Sequence, residues 1–104
     1  MRVVFDENVP WPLRQFLPGH EVASVQGLGW SGIVNGLLIN RLEGAHDVLV
    51  IADKNLRYQQ NLTNRRLAIV ELPTNRWPVL ERISARVAAA VEQATPGSYT
   101  IVEL

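Results

Sequence analysis

The sequence predicts a three-layer α/β fold: one mostly parallel sheet with helices on both faces. Three observations carry this. Short apolar runs alternate with helix-like stretches along the whole 104-residue chain. Those runs are continuously apolar, the pattern of strands buried on both faces. The composition, 47% hydrophobic and 19% charged, is that of an ordinary globular domain, and the length suits one domain over residues 1–104.

The elements follow in order. Arg2-Val3-Val4-Phe5 is apolar up to Asp6 and reads as a strand. Asn8 to Pro12 suits a helix start, since proline is tolerated there and not in the interior. Leu13, Phe16 and Leu17 hold helical spacing, and Pro18-Gly19 ends the turn. Glu21 to Val25 is a second strand, and Gln26 to Gly32 a loop. Asn35 is placed to cap a helix over 36–43, closed by Gly44. Asp47 to Ala52 is the strongest strand signal and stops at Asp53. A short polar helix over 55–62 and a strand over 67–72 come next. Thr74 or Asn75 caps the longest helix, 77–94, with Val79, Ile83, Val87, Ala90, Val91 and Ala94 as its apolar stripe. Ala88, Ala89 and Ala90 on it would allow close helix packing in a homodimer. Thr95-Pro96-Gly97 breaks the helix before a last strand, 98–104. Right-handed crossovers leave few topologies, among which 2-1-3-4 is the expected strand order, with the last strand at an edge.

Composition also excludes functions. With no cysteine, the chain has no disulfide scaffold, thiol nucleophile or cysteine-based zinc site. His20 and His46 precede strands and read as turn residues. No apolar run reaches the roughly 18 residues of a spanning helix, and MRVVFDENVP lacks the character of a signal peptide. The expectation is a soluble cytoplasmic protein with no membrane partner. The net charge is zero, but residues 1–53 carry −3, 54–86 carry +5 and 87–104 carry −2. Nine of the ten basic residues are Arg, suited to bidentate phosphate or carboxylate contacts. Taken alone, that balance is better explained by an ordinary solvated surface with Arg–Glu pairs.

Open parallel sheets bind ligands beyond the strand C-termini, where strand order reverses. Here that point lies between the first and third strands, which end at Asp6 and Asp53. Glu7 flanks the first, and Lys54 the second. Paired carboxylates are stable with a cation, a proton or a basic partner, and Mg²⁺ needs only one or two of them. Each aspartate alone is more often a helix cap; the two together read evenly as a site or as caps.

FDENVP after the first strand, the GHEV strand, GW-x-G-x-x-N-G-x-L, DVLV-x-ADKNLRYQQNL and Thr-Asn-Arg before the long helix together resemble the small PIN-like proteins. These are bacterial and archaeal relatives of the PIN-domain ribonucleases, which include VapBC-type toxins. The resemblance implies a PIN-like fold and a Mg²⁺- or Mn²⁺-dependent ribonuclease. RNA would be its substrate and an antitoxin protein a potential partner. It implies metal ligands at Asp6 and Asp53, with Glu43 and Glu71 as further candidates, and catalytic roles for Asp6, Asp53 and Glu7, the last holding a water. Where the family pattern carries an acid after Asn-Gly, this chain has Leu37. Lys54, Arg57, Arg76 and Trp30 are candidate RNA contacts on the site's side of the sheet. Arg65 and Arg66 precede the fourth strand, on the opposite side. Trp11 and Trp77 are better explained as plugs of a small core.

Two alternatives use the same residues. One is a catalytically degenerate PIN-like protein that binds a partner, which Leu37 favours. The other is a receiver-like signalling domain, built on Asp6-Glu7, Asp53 and Thr74. The receiver pattern needs a Lys after the last strand, and residues 99–104 contain none.

Overall fold

The strands form around the chain's short apolar runs, and in the computed structural model all five run parallel. The structure describes residues 1–52 and 64–104; the expected helix over 55–62 lies outside them. The strands are β1 (Arg2–Phe5), β2 (Glu21–Ser24), β3 (Val48–Ile51), β4 (Ala68–Glu71) and β5 (Tyr99–Ile101). Their order is β2-β1-β3-β4-β5. All residues of β3 and β4 are buried, which is why β3 reads as an unbroken apolar run and β4 as one interrupted at Glu71.

Alternation along the strands divides the core in two. Val3, Phe5, Val48, Val50, Ala68 and Val70 face one side, where Leu13, Leu17, Leu80, Val87 and Val91 cover them. Val4, Leu49, Ile51 and Ile69 face the other, against Leu38, Ile39 and Leu42. The first cover is a 3₁₀ segment, Trp11–Phe16, with helices α2 (Trp77–Arg82) and α3 (Ser84–Glu92). The second includes α1 (Asn35–Leu42). Sheet and covers form three layers. No helix among the described residues is long and apolar enough to cross a membrane.

Several expectations at element ends need correction. Asn35 lies inside α1, and Val34 occupies the cap position without a side-chain bond. The expected single helix 77–94 is two. The Ile83 N–H is shared between the carbonyls of Val79 (3.3 Å) and Leu80 (3.2 Å), and the next turn opens with Arg86 N–H donating to Ile83 O at 2.9 Å. This tightening to three-residue bonds at Ile83 separates α2 from α3. Leu80, absent from the expected stripe, is the buried residue of α2, whereas Val79 is half-buried. Arg76 takes the cap position of α2; Thr74 Oγ1 instead accepts the Arg76 N–H at 3.1 Å in the turn before it. Ala88 and Ala90, candidates for a dimer face, pack against the first core. β5 is shorter than expected, and Ile101 is exposed.

Gly97 shows why the chain turns where it does before β5. Its φ is +79°, and a Cβ there would lie 2.5 Å from the Arg65 carbonyl oxygen. Its N–H donates to Arg66 O at 2.9 Å, so the turn is held against the approach to β4. Gly97→Ala combines a left-handed backbone with a backbone clash, and should cost about 1–3 kcal/mol. Chemical denaturation would register this as a lower midpoint with an unchanged slope.

Candidate metal and nucleic-acid site

Parallel strands place all their C-terminal ends on one rim. The order reverses between β1 and β3, because β1 leads to β2 on one side and the chain then crosses to β3 on the other. Asp6 stands at that junction. Its N–H donates to Val50 O at 2.9 Å, extending the β1–β3 ladder one residue past Phe5. Its carbonyl accepts the Val9 N–H at 3.0 Å, turning the chain away from the sheet. Alternation puts the half-buried Asp6 side chain on the α1 face with Val4.

Glu7 turns away from the junction. Its Oε1 accepts the Gly32 N–H at 2.5 Å, tethering the loop that follows β2. That loop carries Trp30, which packs on the second core with Leu28 and Ile33. The Arg41 guanidinium lies 5.6 Å from the Trp30 ring centroid. Trp30 is thus at the rim but half-buried.

Glu71 shares the rim and the face with Asp6. It pairs with Ile51 in the β3–β4 register, one strand beyond Asp6, so two strand spacings of about 4.8 Å separate their backbones. It is 1% exposed, and Oε1 accepts the Tyr99 hydroxyl at 2.7 Å. Burial and this bond make it part of the β4–β5 packing.

Glu43 is at the other end of the sheet. Oε1 accepts the Arg66 N–H at 2.5 Å and Oε2 the Leu67 N–H at 3.0 Å. The carboxylate therefore ties the end of α1 to the start of β4, at the opposite end of the sheet from Asp6. Arg65 and Arg66 lie at this same far rim, and Arg65 Nη1 donates to Asn40 Oδ1 at 2.9 Å. Arg76 is exposed at the start of α2, on the Asp6 rim. Leu37 is 46% exposed in the first turn of α1, which begins on that rim too. Asp53, Lys54 and Arg57 lie outside the described residues. Among the described residues no group of three or more histidine or acidic side chains is arranged to hold a metal ion.

Two roles were missed in the sequence. An acid at a helix C-terminus opposes the helix dipole, and Glu43 occupies that place because it serves β4; the oddity was readable, its partner was not. Tyr99 as donor to Glu71 carried no sequence signal, since 28 residues separate them.

His46 lies before β3 on the far rim. Its Nδ1 is buried with no hydrogen-bond partner among the described residues. Burial first, then Arg2, lowers its pKa below 6.5, and Asp47 offsets this in part. A depressed histidine pKa favours the neutral ring in the folded state. Its stabilising contribution is complete above the unfolded value of 6.5 and is lost as pH falls from there toward the folded value. Thermal midpoints measured across that range should fall with pH in the parent protein and fall less steeply in His46→Gln.

No family model matches the chain, and neither a curated protein nor a solved structure does.

Proposed function

We propose that the chain is a PIN-like, metal-dependent ribonuclease, with Asp6 as the central ligand of its site. The observation that carries this is the position of Asp6, one ladder step past β1 at the junction where strand order reverses. The resemblance in FDENVP and DVLV-x-ADKN supplies the reaction class and the pairing with Asp53. It also makes the toxin half of a toxin–antitoxin pair the biological setting we favour, with an antitoxin as protein partner.

The described residues fit such an ion in kind. A hard carboxylate on a half-buried, ladder-fixed backbone is a suitable Mg²⁺ or Mn²⁺ donor, and substrate phosphate and water complete such sites. Asp6 would hold the ion, joined by Asp53. When bound, the ion supplies a water activated for attack and neutralises charge on the scissile phosphate. Glu7 steadies the Gly32 loop that borders the rim. Arg76, exposed on the same rim, would hold the RNA backbone.

The second reading, a degenerate PIN-like module that binds a partner, draws support from Glu43 and Glu71, both engaged in packing. Calorimetric titration of Mg²⁺ and Mn²⁺ into the parent protein, Asp6→Asn and Asp53→Asn separates the two. Binding that either substitution abolishes supports the nuclease. Equal binding by the parent and Asp6→Asn overturns the assignment of Asp6. No binding by the parent, with or without RNA, turns the choice to the partner-binding module.

A further inference from the structure

We infer that Trp11 and Arg14 form a platform for an unpaired nucleobase and its flanking phosphate, beside the Asp6 rim. The inference rests on the reading of that rim as a nucleic-acid site. The three tryptophans differ in how they are used. Trp77 packs on the first core, its ring 6.1 Å from that of Phe16. Trp30 packs on the second. Trp11 is 40% exposed, the sole aromatic among the exposed large apolar side chains described.

Its exposure is not looseness. Pro10 and Pro12 flank it and restrict the backbone on both sides. Its ring meets Phe5 in an edge contact, centroids 6.0 Å apart at 79°. Phe5 is the residue immediately before Asp6, so the indole is anchored at the C-terminal end of β1. The Arg14 guanidinium carbon lies 4.7 Å from the ring centroid, and Nη1 donates to the Trp11 carbonyl at 3.2 Å. No carboxylate among the described residues ion-pairs with Arg14; the ion pair found is between Arg2 and Asp47. An exposed indole held rigid, with an uncompensated guanidinium on it, has the two elements that recognise a nucleotide: a stacking surface and a phosphate donor. Pre-organisation reduces the ordering cost of binding. Phe5 and Asp6 point to opposite faces of the sheet, so a strand laid over the rim would stack a base on Trp11 while a neighbouring phosphate lies at Asp6.

The test is metal-free binding, in EDTA, of a labelled oligouridylate of about ten nucleotides, read by fluorescence anisotropy. An abasic oligomer of equal length and charge is the comparison. The parent protein should prefer the base-bearing strand. Trp11→Ala and Arg14→Gln should weaken that binding roughly 5- to 100-fold, Trp11→Phe less. Arg82→Gln removes the same charge elsewhere and should leave binding unchanged. Thermal unfolding checks each variant; Arg14→Gln and Trp11→Phe keep the test decisive should Trp11→Ala not fold. Equal affinity for the abasic strand, no binding by the parent, or unchanged binding in folded Trp11 and Arg14 variants overturns the platform. Cleavage that depends on Asp6 alongside such unchanged binding overturns the platform and leaves the nuclease standing. Base-dependent binding lost in Trp11→Ala, with no cleavage by the parent, does the reverse.

Discussion

On the nuclease reading proposed above, Asp6→Asn should reduce RNA cleavage by at least about 100-fold while leaving the fold intact. The substitution is nearly isosteric, and two backbone bonds hold residue 6 at the junction: N–H to Val50 O and carbonyl to Val9 N–H. Neither depends on the side chain, so the β1–β3 junction should keep its shape. What changes is the charge. A neutral amide oxygen is a poorer ligand for Mg²⁺ or Mn²⁺ than a carboxylate. Substitutions one shell further from a metal already cost about 10–100-fold in affinity or activity, so a direct ligand should cost no less. The check is cleavage of a defined RNA at saturating Mn²⁺, together with the thermal midpoint. Full activity in Asp6→Asn would remove Asp6 from the chemistry. A large fall in midpoint would recast it as a structural residue of the turn at Val9.

Glu43→Ala should be the most destabilising of the surface-accessible substitutions considered, by about 2–4 kcal/mol. The carboxylate accepts two backbone N–H groups, those of Arg66 and Leu67. Bonds to a charged group contribute about 1.5–3 kcal/mol each, and two on one side chain share part of that. Leu67 is buried, so its N–H would lose its partner where water has poor access. For a domain of this size the thermal midpoint should drop by roughly 10–20 °C. Glu43→Gln keeps one acceptor oxygen and should lose about half as much. Metal titration should be unaffected by either, because Glu43 and Asp6 sit at opposite ends of the sheet. A loss of metal binding without loss of stability would restore Glu43 as a ligand.

Different parts of this molecule were legible for different physical reasons. β3 and β4 were readable because burial on both faces demands continuous apolar residues, and Val48–Ile51 and Ala68–Val70 satisfy that locally. The handedness of crossovers, which needs no side-chain detail, narrowed the sheet orders to a few, and the observed one is among them. Asp6 was readable as a rim residue because a strand end is a local feature. Glu43 was not readable, because its partners are backbone N–H groups 23 and 24 residues away, and every residue but proline offers one. The division of the long helix at Ile83 was hidden for a similar reason: Leu80, Ile83 and Val87 keep a plausible helical spacing across it. Trp11 was read as a core plug from its type, whereas its exposure depends on the 3₁₀ path after Asp6. The nuclease reading leans on resemblance, since the described residues contribute Asp6 while Asp53 lies beyond them.

The parallel sheet has one further consequence. Because every strand points the same way, residues proposed for chemistry (Asp6, Arg76, Trp11) gather at one rim, whereas Glu43, Asp47 and Gly97 hold the other together. Selection can then act on the two ends almost independently. Changes that alter substrate preference need not touch the fastenings, and changes that firm the fastenings need not touch the substrate. The trade-off between durability and activity that constrains many small proteins is loosened here by distance alone. Variants of the far rim are accordingly the place to seek a hardier form of the protein, in which damaging substitutions at the Asp6 rim could be tolerated and studied.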